Sequence, residues 1–295
     1  MKPPKFMYCD PDSVEEAVAL KSRYGHDSLV LAGGQSLMPM LNMRLANPEV
    51  LIDINRVTDL QQITRDGDVL EIGAGVRQSV LETDPAVAAA VPLLGLVVPY
   101  IGHIENRHRG TVGGSLAHAD AAAELPCAAV TLDATIVVQG TEGRREVPAR
   151  EFFEGFMTNC CAPDELVVAV RFPVTPAAAG SAFVEHARRQ GDFALAAAAA
   201  VVTLDAQGHI ASAAVGVAGI SGTPVRATAV QDALVGGPTT TEAIAAAAAA
   251  VGDSVNAADD MHATGTYRRH LAVTVVKRAI TAAVGNAAAV ERNGS

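Results

Sequence analysis

The chain has 295 residues, of which 49% are hydrophobic and 18% are charged, and its formal net charge is -10. This length and apolar content suffice for two or three compact domains with substantial cores. Because the long-range field of an acidic protein repels nucleic acids and anionic membranes, we expect no nucleic-acid partner.

The remaining composition argues against a metal site and against a membrane anchor. None of the zinc or iron–sulfur spacings occurs among the cysteines, which are Cys9, Cys127, Cys160 and Cys161. We therefore assign no metal to this chain. The N-terminus lacks the apolar core of a signal peptide, and the longest apolar run, Ala194 to Val202, is shorter than the roughly twenty residues that span a bilayer. The sequence predicts a cytoplasmic protein with no integral membrane segment.

The N-terminal half predicts alternating helices and strands. Apolar residues at helical spacing behind Ser13 indicate a first helix over 13–24. A β-α-β unit is predicted next, with a strand at 28–32, a Gly-Gly turn, a helix at 37–45 and a strand at 50–54. Beyond it we predict strands at 63–65, 69–72 and 135–139, and helices at 76–81 and 86–91.

The C-terminal part changes pattern after a linker indicated by Pro173 and Pro176. The alanine-rich run 194–200 has helical propensity, but Val201, Val202, the turn at 205–208 and the matching run 210–220 favour a hairpin. Three helices are predicted, at 227–235, 241–251 and 266–283. The resulting domains are 1–56, 57–175 and 176–288, followed by a tail at 289–295.

Two glycine-rich segments carry the strongest chemical signal. The first runs from Ala32 to Leu37, and the second from Gly110 to Asp120. Each offers consecutive backbone N–H groups with little Cβ hindrance, which is what an anionic diphosphate needs. Either segment alone would be an ordinary tight turn, but together they favour a shared phosphate cradle. The only approach to a Rossmann fingerprint, Gly73-Ala74-Gly75, lacks the third glycine at the required spacing.

These segments and their neighbours resemble the flavin-binding subunit of the molybdenum hydroxylases, the group that contains the medium subunit of carbon monoxide dehydrogenase and the flavin portion of xanthine dehydrogenase. The resemblance covers nearly the whole chain. The matching stretches, in family order, are Ala32–Leu37, Ile101–His103, Arg109–Asp120, Ala123–Pro126, Ala187–Ala194 and Tyr267–Ala272. The chain departs from the family pattern at Glu105–His108, which concerns contacts on the ring side of the site.

The resemblance implies an α+β protein: a two-subdomain flavin-binding fold of the vanillyl-alcohol oxidase/p-cresol methylhydroxylase type, then a C-terminal α+β domain with an antiparallel sheet and helices. It also implies FAD across the two subdomains, with its isoalloxazine ring facing the C-terminal domain. Asp120 is expected at ribose or adenine, and Ile101, Asp192 and Phe193 are expected near the ring. The residues expected around the pyrophosphate are Gly33, Gly34, Gln35, Ser36, Thr111, Gly113, Gly114 and Ser115. Their neighbours Ala32 and Leu37 are expected among the cofactor-binding residues.

The same resemblance implies that the chain transfers electrons and that substrate chemistry occurs elsewhere. A large partner subunit would carry a molybdenum-pterin centre, and a small partner would carry two [2Fe-2S] clusters. Electrons would pass through the clusters to FAD and then to oxygen, a quinone or NAD. No catalytic acid or base is required in this chain. The expected assembly is a dimer of heterotrimers.

Two alternatives remain open at the level of sequence. The first is a stand-alone FAD-dependent reductase on the same fold, such as the reductase that makes N-acetylmuramic acid precursors. That enzyme typically has Ile-Pro-Gly before its second glycine motif, where this chain has Arg109-Gly110-Thr111. The second is a non-catalytic nucleotide-binding or assembly subunit that has lost its flavin.

Overall fold

The computed structural model describes residues 2–294 and begins with a small parallel sheet. The elements of this N-terminal unit are β1 (Met7–Cys9), α1 (Val14–Tyr24), β2 (Ser28–Leu31), α2 (Leu37–Asn42) and β3 (Val50–Asp53). The strand order is β1-β3-β2, and both pairings are parallel. Helix α1 begins where the Ser13 hydroxyl accepts a hydrogen bond from the Glu16 N–H, and it ends at Gly25, whose φ is +47°.

The middle unit is an antiparallel five-stranded sheet with a cluster of short helices inserted between two of its strands. Its elements are β4 (Ile63–Asp66), β5 (Val69–Gly73), α3 (Gln78–Thr83), α4 (Pro85–Ala90), α5 (Pro92–Val97), α6 (Ile104–Arg109), α7 (Val112–His118), α8 (Glu124–Thr131), β6 (Thr135–Gly140), β7 (Gly143–Pro148), α9 (Ala149–Phe152), β8 (Phe153–Gly155), β9 (Thr158–Asn159) and β10 (Leu166–Pro173). The strand order is β4-β5-β10-β6-β7, with β8 and β9 forming a separate ribbon.

The C-terminal unit is an antiparallel sheet that is followed by helices. Its elements are β11 (Gly180–His186), β12 (Ala196–Leu204), β13 (Ile210–Ala218), β14 (Val225–Arg226), α10 (Thr228–Leu234), α11 (Thr241–Ala249), α12 (Val251–Ser254) and α13 (Gly265–Gly294). The strand order is β11-β12-β13-β14. The predicted hairpin is confirmed by β12 and β13, which pair antiparallel along almost their whole length.

The alanine-rich strand β12 is explained by helices packed on both faces of its sheet. Ala196, Ala198 and Ala200 are fully buried in the core that contains α13. Ala197 and Ala199, which point the other way, are buried in the core that contains α8. Because neighbouring side chains on a strand alternate between faces, small residues at every position allow both helices to approach closely.

The cores do not stop at the predicted domain boundaries. The core of the N-terminal unit includes Leu166, Val168 and Ala169 of β10 and Val137 of β6. The core of the middle unit extends to Phe183 of β11. The predicted linker is also partly structured, since the Thr175 N–H donates to the Ala90 carbonyl. The boundaries themselves stay a prediction.

The last helix is longer than the sequence pattern indicated. Helix α13 continues through residue 294, so residues 289–294 of the predicted tail are helical, and residue 295 lies outside the described part of the chain. A stretch of this helix, Gly265–Val290, is long and apolar enough to cross a membrane by length and composition alone. Core helices of water-soluble proteins pass the same test, and one face of α13 packs on the sheet through residues such as Val276 and Ile280.

Candidate cofactor cleft

A cleft of about 930 Å³ lies between the N-terminal and middle units and reaches the loop that precedes β12. Every residue to which the sequence assigned a binding role lines this one cleft. Both glycine segments contribute to its lining. The structure therefore brings together residues that the chain separates widely.

The first segment offers unoccupied hydrogen-bond donors. It forms the turn between β2 and α2, where Gly34 has a φ of +72°, a conformation that favours glycine. Among the described residues, no backbone or side-chain acceptor is hydrogen bonded to the N–H groups of residues 33–37. Five successive free amides beside a cleft form a concave anion-binding surface.

The two segments touch each other through their main chains. A Cβ placed on Gly33 would lie 2.4 Å from the Arg109 carbonyl oxygen and 2.7 Å from the Gly110 Cα. A Cβ on Gly114 would lie 3.7 Å from the Ala32 Cβ. Glycine is therefore required at residue 33 for the segments to meet.

Two polar side chains hold this junction. Asn55 Nδ2 donates to the Ala32 carbonyl at 2.8 Å, and Arg77 Nη2 donates to Asn55 Oδ1 at 2.7 Å. The same guanidinium donates through Nη1 to the Arg109 carbonyl at 2.5 Å. Sequence reasoning missed Asn55 and Arg77, because neither lies in a glycine segment and their contacts join distant parts of the chain.

In the second segment, two of the backbone N–H groups are already hydrogen bonded within the protein. This segment begins α7, where the Thr111 hydroxyl accepts from the Gly114 N–H at 3.0 Å. The Gly113 N–H donates to the Ala74 carbonyl at 2.8 Å, so it is not available to a phosphate. A Cβ on Gly113 would lie 2.3 Å from the Ala74 Cβ. This glycine therefore allows α7 to pack against the end of β5, and its predicted approach to the pyrophosphate does not involve its N–H group.

One end of the cleft meets the C-terminal unit. Gln35 Oε1 accepts from Asn106 Nδ2 at 3.1 Å, which links the first glycine segment to α6. Ile101 is half-buried there, whereas Phe193 is 70% exposed. Asn106 belongs to the stretch that departs from the family pattern, and it now has a defined place beside the cleft.

The cleft lining also contains a buried ammonium. Lys21 is 9% exposed, and its Nζ donates to the Gly25 carbonyl, the Ser28 carbonyl and the Ser28 hydroxyl at 3.3–3.4 Å. Burial lowers the pKa of Lys21. Burial also raises the pKa of the nearby Cys161 thiol to about 12, so this thiol stays neutral. Neither residue was assigned from the sequence.

Two acidic residues line the wall between α7 and α8. Asp120 is buried, and its Oδ1 accepts from the Ala122 N–H at 2.8 Å. Glu124, the first residue of α8, is also buried, and loss of hydration raises its pKa to about 7. Glu124 belongs to a stretch that matched the family, but no role was assigned to it.

The donor set and the shape of the cleft fit FAD. The free amides of residues 33–37 suit a diphosphate, and the contact of Gly33 with Arg109 and Gly110 leaves no room for a side chain at that point between the segments. Buried carboxyl groups nearby suit hydroxyl or amino groups of a nucleoside. In the described residues, no group of three or more histidine, cysteine or acidic side chains could hold a metal ion.

Comparisons with known proteins agree with this assignment. Residues 4–175 match the family model described as the FAD binding domain in molybdopterin dehydrogenase, and residues 181–283 match the CO dehydrogenase flavoprotein C-terminal domain. The 6-hydroxypseudooxynicotine dehydrogenase complex subunit alpha of Paenarthrobacter nicotinovorans is 39% identical over 97% of this chain and 97% of its own length.

Solved structures also match nearly the whole length of the chain. A chain of the carbon monoxide dehydrogenase of Hydrogenophaga pseudoflava superposes with a TM-score of 0.94 at 38% identity, covering 97% of this chain and 99% of that one. A chain of quinoline 2-oxidoreductase from Pseudomonas putida 86 gives a TM-score of 0.93 at 36% identity, with coverage of 97% and 99%. The predicted fold class is confirmed.

Proposed function

Because the chain belongs to the FAD-binding medium subunits of the molybdenum hydroxylases, we propose that its cleft holds FAD by the diphosphate at the two glycine segments. The family and its cofactor, which were predicted from the sequence motifs, are confirmed. FAD supplies a redox centre that accepts and releases electrons. The chain is the electron-transfer subunit of a multi-subunit oxidoreductase.

The observation that carries the binding proposal is the row of free amides at residues 33–37. These N–H groups hydrogen-bond the phosphate oxygens, while Ser115 and the backbone around Gly114 border the opposite side. The Thr111 hydroxyl is engaged by the Gly114 N–H, so it shapes the cradle and its binding contribution is indirect. Gly113 acts through packing.

Different parts of the cleft lining receive the ring and the nucleoside of the cofactor. Ile101, Asp192 and Phe193 lie at the end that meets the C-terminal unit, and we assign the isoalloxazine ring to them. Exposure of Phe193 favours this end for electron exchange, because electrons must enter from a partner and leave to an acceptor. Asp120 and Glu124 then accept hydrogen bonds from ribose or adenine.

The partners follow from the family. Related chains are medium subunits of multi-subunit complexes, so this chain has larger and smaller partner subunits. We assign the molybdenum-pterin centre to the large partner, two [2Fe-2S] clusters to the small partner, and a dimer of heterotrimers to the assembly. All four cysteines are free, which supports a reducing compartment, and we assign the cytoplasm. The terminal acceptor is oxygen, a quinone or NAD.

Substitution of Gly114 tests the cradle. In Gly114→Val, the new Cβ would lie 2.7 Å from the Thr111 hydroxyl and would face the space between the segments. We expect the purified variant to fold but to lose flavin, measured as the ratio of visible flavin absorbance to protein. The matched control is Gly285→Val in α13, where a Cβ meets nothing within 4 Å. Full flavin occupancy in the Gly114 variant would refute the cradle.

Co-purification tests the partners. We expect this chain to be isolated with two further subunits and with molybdenum and iron in the complex. The isolated chain should bind FAD without oxidising an organic substrate. Turnover of a substrate with NADPH by the isolated chain would instead favour the stand-alone reductase, and a chain that binds no FAD would favour the flavin-free assembly subunit.

A further inference from the structure

One buried side chain in the cleft lining has polar groups that the rest of the protein does not satisfy. Gln78, the first residue of α3, is 6% exposed and lines the cleft. Nearby side-chain hydrogen bonds involve Asn55, Arg77 and Asn106, and none within residues 2–294 includes the carboxamide of Gln78. The described side-chain atoms that are fully shielded without a partner all belong to other residues. The unpaired carboxamide of Gln78 is therefore accessible from the cleft.

The backbone holds Gln78 against the second glycine segment. Its N–H donates to the Gly110 carbonyl at 2.9 Å, and the Val112 N–H donates to the Val76 carbonyl at 2.9 Å, so the two stretches form a short antiparallel bridge. A Cβ on Gly110 would lie 2.3 Å from Gln78 Oε1, and a Cβ on Gly33 would lie 2.7 Å from the Gly110 Cα. Gly110 thus contacts both the carboxamide of Gln78 and the first glycine segment. The carboxamide lies at the junction of the two segments.

The cleft has few free cations for a diphosphate. In the part of the chain that the structure describes, Lys21 is the one basic side chain of the lining besides histidine. Its ammonium is already bound by three protein oxygens. The guanidinium of Arg77 donates to Asn55 and to the Arg109 carbonyl. Neutral donors must therefore supply hydrogen bonds to the phosphate oxygens, and a glutamine carboxamide has two N–H donors.

We propose that Gln78 is a cofactor-binding residue whose side-chain N–H groups donate to the diphosphate of FAD. The proposal rests on the proposed function, because it requires FAD in this cleft. A carboxamide that is buried without a partner destabilises the flavin-free chain, and a phosphate oxygen removes that cost when the cofactor binds. Gln78 therefore adds a side-chain donor, from a third part of the chain, to the row of backbone amides at residues 33–37.

Gln78→Leu separates a binding role from a structural one. Leucine keeps a similar volume and removes the unpaired carboxamide, so we expect the flavin-free variant to be at least as stable as wild type in urea unfolding. We expect the dissociation constant for FAD to rise roughly 10- to 100-fold, as is typical when a hydrogen bond to a charged group is lost. An unchanged dissociation constant would overturn the proposal. A loss of affinity that is accompanied by a loss of stability would overturn it as well.

The matched control is Gln207→Leu, which changes an exposed glutamine in the turn between β12 and β13. This variant should leave both the stability and the flavin affinity unchanged. Gln78→Glu keeps the shape of the side chain but replaces its N–H donors with an ionised carboxylate. We expect it to bind FAD more weakly than Gln78→Leu at neutral pH, with recovery as the pH falls and the carboxyl group gains a proton. Binding as tight as in wild type at neutral pH would contradict a donor role.

ADP assigns the contact to the diphosphate, because it carries this group without the flavin. In a competition titration, Gln78→Leu should weaken the binding of ADP and of FAD by the same factor. Weakening of FAD alone would overturn the assignment to the diphosphate. Absence of FAD binding by the wild-type chain would instead refute the proposed function, so the two failures are distinguishable.

Discussion

At the scale of single residues, Gly33 has the most demanding role. Its missing Cβ lets the first glycine segment contact the Arg109 and Gly110 backbone. In Gly33→Ala, this backbone must move, and we expect a loss of about 1–3 kcal/mol in unfolding free energy, typical of overpacking, together with weaker flavin retention. Urea unfolding and flavin titration measure the two effects. Gly222→Ala, which meets nothing within 4 Å, should change neither.

Lys21 permits a pH-dependent prediction at the same scale. Its folded-state pKa lies below the ordinary value of 10.5 because of burial, so the unfolded chain binds more protons between the lowered pKa and 10.5. The unfolding free energy contributed by this group therefore rises with pH through that window. We expect Lys21→Met to be more stable than wild type at neutral pH, with a difference that shrinks as pH increases.

Urea unfolding of the flavin-free protein from neutral to alkaline pH measures this difference. The exposed Lys5 gives the control substitution Lys5→Met, which should leave the pH profile unchanged. A Lys21→Met variant that is less stable than wild type at neutral pH would show that the three long hydrogen bonds of the ammonium outweigh its burial.

Cleft residues could be predicted from the sequence where the residue type alone indicates both a binding role and a backbone conformation. Glycines and small polar residues in short segments indicate an anion site by themselves, and all of these positions line the cleft. Whether each backbone N–H group is free to bind a ligand could not be predicted. The Gly113 N–H, for example, donates to the carbonyl of Ala74, which follows β5 and is distant in sequence. The spacing of Met38, Met40 and Met43 also predicts core packing for these residues, but Met43 is 52% exposed, and Leu41 is the buried residue of α2.

At the scale of secondary structure elements, α8 and β13 are in close contact. A Cβ on Gly216 of β13 would lie 2.0 Å from the Thr131 hydroxyl of α8. That hydroxyl donates to the Cys127 carbonyl at 2.7 Å. We expect Gly216→Ala to lower the unfolding free energy by about 1–3 kcal/mol, because the helix must move away from the sheet.

A double-mutant cycle with Thr131→Ala tests the cause. Removal of the hydroxyl should relieve part of the overlap, so the double variant should be more stable than the sum of the single changes predicts. Additive effects in thermal or urea unfolding would show that the two positions are not in repulsive contact.

The length of an element and its pattern of apolar and polar residues decided whether it could be predicted from the sequence. The hairpin of β12 and β13 and helix α11 agree with the sequence pattern because each is long and apolar. Helices α5 and α6 were not predicted, because α5 (PLLGLV) is apolar throughout and α6 (IENRHR) is polar after its first residue, so neither shows an amphipathic pattern. Strand β7 has five exposed residues among its six, so its sequence shows no apolar alternation.

At the scale of the whole molecule, the buried Glu124 and the half-buried Glu185 set a pH dependence of stability. Glu124 and Glu185 have folded-state pKa values of about 7 and about 8, above the ordinary 4.5. Between the ordinary and the folded-state pKa values, the folded chain therefore binds more protons than the unfolded chain. Their contribution to the unfolding free energy is fully present below pH 4.5 and is lost as the pH rises through the two folded-state pKa values. We expect the unfolding free energy of the flavin-free protein to decline from about pH 5 to pH 8. Glu185→Gln should flatten this decline, and an unchanged slope would contradict it.

The order in which the protein folds follows from the core of the N-terminal unit, which includes residues of β6 and β10. Residues that complete this core, including Leu166 and Val168, are synthesised long after the three parallel strands they support. On the ribosome, the nascent N-terminal segment therefore stays incompletely packed until β10 has left the exit tunnel. Flavin can be captured only after that moment, so cofactor loading is a late event in the biogenesis of this subunit.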